Sequence, residues 1–142
     1  MIAASTLATP AVDIRRTLAH RFVHFLETGE HAELFADDVF CDFTMPTWRL
    51  QAQGPDEVVA LRRHGHPCPG TVPRSRFDAT DSGFVLEVEE TWTDDSGPWY
   101  CRELFRADVA ADRIAALSVY CTGDWDSAQV AAHAAAVQLI RP

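Results

Sequence analysis

Between residues 84 and 92 apolar and polar side chains alternate. Phe84, Leu86, Val88, Glu90 and Trp92 fall on one side, and Val85, Glu87, Glu89 and Thr91 on the other. That period of two predicts a half-buried strand. The pattern recurs from Trp99 to Val109, with Trp99, Cys101, Glu103, Phe105, Ala107 and Val109 opposed to Tyr100, Arg102, Leu104 and Arg106. The intervening Asp94-Asp95-Ser96-Gly97-Pro98 is a turn signal, so the two runs predict a hairpin. A short hairpin superposes the two apolar faces in either of two registers. One sets Glu90 opposite Cys101 and diagonal to Glu103; the other sets Glu90 opposite Glu103 itself. Both leave two carboxylates side by side on an otherwise apolar face. On the outer face Glu87 and Glu89 lie near Arg102 and Arg106, as exposed ion pairs worth ~0–1 kcal/mol each. A third run, Ile114 to Trp125, follows the Ala111-Asp112 turn. Pairing Phe105 with Leu117 places Val119, Cys121 and Trp125 on the apolar face, with Cys101 opposite Cys121, and turns Ser118, Tyr120 and Thr122 outward.

The N-terminal half changes period. Ile14, Leu18, Phe22, Phe25 and Leu26 recur at helical spacing after Thr9-Pro10 and stop at Gly29, an amphipathic helix preceded by a leader over residues 1–9. A second short helix is expected from Glu30 to Phe35, ending in Asp37-Asp38. A strand follows from Val39 to Thr44, then an edge strand from Trp48 to Gln53. Pro55 to His64 predicts a helix with acids in its first turn and bases in its last. Arg74 to Thr80 predicts another strand, and Asp126 or Ser127 caps a C-terminal helix reaching about Val137.

At 142 residues the chain suits one core, so residues 10–142 are expected to form a single domain. The net charge is -9 and all 12 basic residues are arginine, which offers no basic face for nucleic acid or an anionic membrane. No apolar run is long enough for a membrane span, and the N-terminus lacks the basic and apolar regions of a secretory signal. The expectation is cytoplasmic. The four cysteines, Cys41, Cys68, Cys101 and Cys121, contain no CxxC pair and suggest reduced, buried thiols.

Helix, short helix with an acidic pair, strand, further helix, then antiparallel strands is the order of an α+β cone. With Phe35-Ala36-Asp37-Asp38-Val39-Phe40 entering the first strand, Gly54 opening the later helix and Arg113 to Tyr120 as the last strand, the chain resembles the nuclear transport factor 2 (NTF2-like) superfamily. Within it, the resemblance is to the SnoaL-like branch of polyketide cyclases and limonene-epoxide-hydrolase relatives. It implies a curved, mostly antiparallel sheet wrapped around N-terminal helices, with a C-terminal helix added and a pocket between sheet and helices. Members include ring-closing enzymes, isomerases, hydrolases and non-catalytic modules, so the fold leaves function open. The epoxide hydrolases resembled here use a carboxylate, arginine, carboxylate set with a tyrosine and an asparagine holding water. Asp42 to Pro46 resembles the segment that supplies the last two and would place Asp42 and Thr44 toward the pocket. Neither residue type is kept, Leu117 and Val119 stand where that family has a polar pair, and no arginine is evidently directed inward.

Glu90 and Glu103 are the leading catalytic candidates. Two adjacent carboxyls in a low dielectric cannot both ionise cheaply, so one holds a proton as general acid beside its basic neighbour. The alternative is that buried donors satisfy both and they only brace the sheet. Asp42 assists if the even side of its strand faces in, and is solvated if Val39, Cys41 and Phe43 face in. Thr44, Trp48, His66, Trp92, Trp99, Cys101, Val119 and Trp125 are the expected substrate-binding residues. His64-Gly65-His66-Pro67-Cys68 fits no zinc template, so neither metal nor cofactor is expected, and Cys101 and Cys121 are taken as packing residues. These features point to a cofactor-independent acid/base cyclase or isomerase acting on a hydrophobic small molecule of specialised metabolism. The alternatives are an epoxide-type hydrolase and a non-catalytic binding or dimerisation domain. A homodimer through an outer sheet face bearing Tyr100, Leu104 and Tyr120 is expected in each case.

Overall fold

The computed structural model describes the backbone of residues 2–67 and 69–142 and the side chains of 14–67 and 69–142. The leader expected over residues 1–9 and the motif residue Cys68 fall outside the described side chains. In α1 (Ile2–Thr28), helical spacing sets Leu18, Ala19, Phe22, Phe25 and Leu26 on one stripe, and all five are buried. Ile14, expected to extend that stripe, is 38% exposed. The helix ends where Gly29 turns to φ +81 and donates its N–H to the Phe25 carbonyl at 2.8 Å, a left-handed cap that suits glycine.

After α1 the chain builds β1 (Phe35–Thr44), β2 (Arg49–Gln53), α2 (Pro55–Gly65), β3 (Thr71–Ala79), β4 (Gly83–Asp94), β5 (Gly97–Ala110), β6 (Arg113–Cys121) and α3 (Ser127–Ala136). The strands form one sheet in the order β2-β1-β6-β5-β4-β3. Only β1 and β6 run parallel. The short helix expected over Glu30 to Phe35 is absent. Leu34, Phe35 and Val39 recur at helical spacing and all three are buried, yet Glu33 takes φ +57 and Phe35 pairs with Ile114 of β6. Residues 32–34 form a turn instead, and pairing with β6 starts the strand at Phe35, with a bulge before Phe40.

The inner face carries the core, and α1 lies across it, its Phe22 ring meeting Phe105 edge-on at 4.7 Å. In β4, Phe84, Leu86, Val88, Glu90 and Trp92 are all buried, and in β5 Cys101, Glu103, Phe105 and Ala107, so the predicted face assignment is the one observed. The hairpin adopts the first of the two registers, Glu90 opposite Cys101. The β5–β6 register differs from expectation. Phe105 pairs with Val119 rather than Leu117, and Glu103 rather than Cys101 faces Cys121. A two-residue turn closes on the Ala110–Arg113 pair, and one extra residue, Ala115, is bulged out between the Val109–Ile114 and Asp108–Ala116 pairs. That insertion restores parity, so the apolar faces still coincide. No described helix is long and apolar enough to cross a membrane.

Where β4 begins, its backbone and that of β5 are in close approach: a Cβ on Gly83 would stand 1.9 Å from the Ala107 carbonyl oxygen. Gly83→Ala is therefore expected to destabilise the fold by about 2–4 kcal/mol, read from the urea midpoint. A loss below ~0.5 kcal/mol would show that this approach is not maintained.

Candidate active site: a buried glutamate pair held by one arginine

Glu90 on β4 and Glu103 on β5 are each only 3% exposed, the two buried charged residues of the described core. Strand alternation puts them there and the hairpin register makes them diagonal neighbours. Their partner comes from α2. Val58 and Val59 are buried on that helix, and Arg62, four and three residues further on, shares their face. Its Nη2 donates to Glu90 Oε2, and its Nη1 donates to Glu90 Oε1 at 3.0 Å and to Glu103 Oε1 at 3.4 Å. Nη2 also donates to the Leu26 carbonyl at 3.0 Å. The inward arginine that the sequence pattern did not reveal is therefore present. It was legible in the 58, 59, 62 spacing but is equally at home as a macrodipole partner in a last helical turn.

His66 completes the group. Its ring lies 4.2 Å from that of Trp92, and Nε2 and Asp124 Oδ1 are 3.0 Å apart. Nδ1 lies 3.4 Å from Glu90 Oε2, an ion-pair distance, but is not aligned as a hydrogen bond. Cys101 Sγ donates weakly to Glu103 Oε1 at 3.6 Å. Among the described residues, Glu103 Oε2 is buried with no partner.

One arginine cannot neutralise two carboxylates. Burial pushes Glu90 up, but His66, Glu103 and Arg62 outweigh it and hold its carboxyl at about 2. Burial, and then the adjacent Glu90 carboxylate, push Glu103 well above the ordinary range. Glu90 is the anion and Glu103 keeps the proton. Burial also opposes the charge on His66, but Asp124 and then Glu90 raise it above its usual value. The Cys101–Cys121 thiol contact, the largest influence on both, raises the first and lowers the second.

No family model and no curated protein matches this sequence. Solved structures do. An NTF2-like protein from Anabaena variabilis aligns at a TM-score of 0.65 with 17% identity, over 80% of this chain and 90% of that one. The fold is NTF2-like. A provisionally assigned isomerase from Bacillus subtilis aligns with this chain at a TM-score of 0.63, 11% identity, over 79% and 88% of the two chains. A provisionally assigned SnoaL-like polyketide cyclase from Mesorhizobium loti aligns at 0.54, 16% identity, over 74% and 97%.

Inside the NTF2-like cone a cavity of ≈ 30 Å³ lies against Glu103, Arg62, Phe22, Phe43, Leu61 and Val119, room for about two waters. Larger hollows lie elsewhere. One of ≈ 610 Å³ lies between the outer face of β3–β5 and the C-terminal segment, and one of ≈ 550 Å³ is lined by Thr91, Trp92, Trp99 and Val130. Neither is lined by Glu90 or Glu103.

The structure gathers Glu90, Glu103, His66, Trp92, Cys101 and Val119 around this region, with Trp99 stacked on Trp92 at 6.0 Å. Four expected residues lie elsewhere. Asp42 sits on the outer face because Val39 and Cys41 take the core side, and Arg49 clasps its carboxylate at 3.0 and 2.6 Å. Thr44 shares that outer side, paired with Arg49 and Tyr120. Trp48 is 66% exposed in the turn between β1 and β2. Trp125 follows Gly123, whose φ of +82 breaks the alternation, and lies against Tyr100 at 5.1 Å. The outer ladder is also rearranged: Arg102 meets Glu87 at 3.0 Å, while Glu89 binds Arg74 of β3 and accepts from Tyr100 Oη.

Removing Arg62 leaves the Glu90 charge buried and unpaired. Arg62→Ala is expected to cost about 3–5 kcal/mol, and Arg62→Ala/Glu90→Gln to recover part of it, both measured by urea unfolding. A single variant within ~1 kcal/mol of the parent would contradict the clamp.

Proposed function

We propose that this protein is an acid/base enzyme of the isomerase or cyclase type that moves a proton on a hydrophobic small molecule, with Glu103 as the transferring group. One observation carries this reading: Glu103 Oε2 is buried without a partner among the described residues while the same residue lines an otherwise mostly apolar cavity. A bound carbonyl or enol oxygen would be the missing partner. Glu90 is saturated by Arg62 and serves as the fixed charge beside it. After Glu103 gives up its proton, Arg62 Nη1 at 3.4 Å stabilises the carboxylate, which then takes a proton from another position of the same molecule. One carboxyl acting first as acid and then as base fits double-bond migration or ring closure. Epoxide opening gains the arginine it requires, yet Asp42 and Thr44, which would hold the water, face outward. The free thiols at Cys41, Cys101 and Cys121 suit a cytoplasmic location.

The size of the cavity favours a second reading. At ≈ 30 Å³ it is far below the ~300–1,000 Å³ of ordinary ligand sites, as in a domain that binds through its surface and keeps its cone filled. The enzyme reading requires the apolar wall at Phe43 and Leu61, which are only partly buried, to open for substrate.

Glu103→Gln keeps the shape and removes the transferable proton. On a panel of β,γ-unsaturated ketones and uncyclised polyketone chains, the parent is expected to turn over at least one class and the variant to lose about 10²–10⁴-fold in kcat with an unchanged melting temperature. Equal turnover by the two proteins, or no turnover of either class by the parent, would transfer the assignment to the second reading.

Leu104 and Tyr120 pair across β5 and β6 and, with Phe40, remain 39%, 57% and 39% exposed on the outer face. We propose a homodimer through this patch. Tyr100, the other residue expected there, is engaged with Trp125 and Glu89. Leu104→Asp is expected to convert a dimer to a monomer in sedimentation at micromolar concentration; a parent already monomeric there would refute the patch as an interface.

A further inference from the structure

We propose that Cys101, Cys121, Asp124 and His66 form a binding site for a divalent ion of the zinc class. Three segments contribute: β5, the end of β6 with the turn that follows it, and the loop after α2. The Sγ atoms of Cys101 and Cys121 and a carboxylate oxygen of Asp124 all lie within 4.8 Å of one another, and a ring nitrogen of His66 is equally near Cys101 Sγ. His66 Nε2 is 3.0 Å from Asp124 Oδ1. Donors around a tetrahedral zinc stand roughly 3.5 Å apart, given bonds of about 2.0–2.3 Å, so Cys101, Cys121 and Asp124 must draw together from a spacing within 4.8 Å, and His66, grouped with Cys101 and not with Cys121, must turn toward them. Two thiolates, an imidazole and a carboxylate are the donor types that such an ion selects over magnesium or calcium.

The surroundings support the same assignment. The Gly123 N–H is directed at Cys121 Sγ at 3.3 Å, as amides are at metal-bound sulfur. Glycine is needed there, because its φ is +82 and a Cβ would meet Pro46 Cγ at 3.1 Å. The His66 side chain is 8% exposed and its Nδ1 has no hydrogen-bond partner among the described residues, yet that nitrogen lies 3.4 Å from Glu90 Oε2. A carboxylate behind one imidazole nitrogen orients the other toward a metal. Arg62 is already committed to Glu90, Glu103 and the Leu26 carbonyl. Arg62 is therefore not the partner of Asp124, whose carboxylate meets the His66 imidazole instead. Asp124 is 29% exposed and gives an entry route.

Glu103 Oε1 is held by Arg62, so Asp124 is the carboxylate donor. Four protein donors leave no open position, and the ion acts structurally, tying the end of β6 to the loop after α2. Binding releases the two thiol protons and involves no change of oxidation state. The inference does not rest on the proposed activity.

The test is titration of the full chain with Co²⁺ alone, after chelator treatment and under reducing conditions. One equivalent is expected to bind with a thiolate-to-cobalt charge-transfer band in the near ultraviolet and tetrahedral d–d absorption in the visible, both abolished by Zn²⁺. Cys121→Ser is expected to weaken Co²⁺ at least tenfold and to halve the charge-transfer intensity. Asp124→Asn is expected to weaken binding while keeping the band. Cys41→Ser, whose thiol is opposite Ala52 and Leu117 on other strands, should change nothing. In the unmodified chain Zn²⁺ should slow alkylation of the half-buried Cys121 at least tenfold, a readout that requires no variant to fold. Absence of the charge-transfer band overturns the site, as does a band lost in Cys68→Ser and unchanged in Cys121→Ser, or an alkylation rate indifferent to Zn²⁺.

Discussion

The pairing of Arg62 with Glu90 is the interaction on which the other features rest. An ionised carboxylate inside an apolar face costs several kcal/mol unless a cation reaches it with good geometry. Arg62 reaches it from a helix, and its Nη2 also takes the carbonyl of Leu26 near the end of α1. One guanidinium therefore joins α1, α2, β4 and β5. The face that α2 presents, the point at which α1 ends and the register of the hairpin are all constrained by it. The same pairing sets the chemistry. With the only inward arginine among the described residues spent mainly on Glu90, its neighbour has half a partner and retains its proton.

The cone is narrow because aromatic side chains occupy it. Phe22 packs on Phe25, Phe35 and Phe105, so the helix stripe that stabilises the fold also fills the space a ligand would take. Packing and access compete here. The balance explains why the acid pair meets a cavity of ≈ 30 Å³ while the larger hollows lie beyond it. It also leaves Phe43 and Leu61, which are only partly buried, as the looser wall of that cavity. The far side of the acid pair is different in kind. There His66 meets Asp124, and Asp124 lies near Cys101 and Cys121, so the glutamates stand between the apolar cavity and these side chains.

Individual residues show how far local pattern reaches. The alternation through Glu90 and Glu103 was readable because a strand's period of two is a backbone property, and one face of this hairpin is almost wholly apolar. Parity survived even where register did not. The bulge at Ala115 moved Phe105 from its expected partner and still left the same side chains inside. The run from Glu30 to Phe35 misled because nothing local shows that Phe35 pairs with Ile114 of β6 and so begins a strand. Trp125 misled because alternation was extended past Gly123, where the backbone turns.

What the sequence determined by itself was the set of strands, the faces that β4 and β5 present, and the presence of two acids on the buried one, since these follow from periodicity within single segments. It also contained the order of elements that resembles an NTF2-like cone. What only the tertiary structure decided was partnership. Arg62 is 28 residues from Glu90 along the chain, His66 is 58 from Asp124, and Asp42 found Arg49 on the outside instead of the cavity. Which charges meet across such separations depends on how helices and sheet close on one another, and no local spacing encodes that closure.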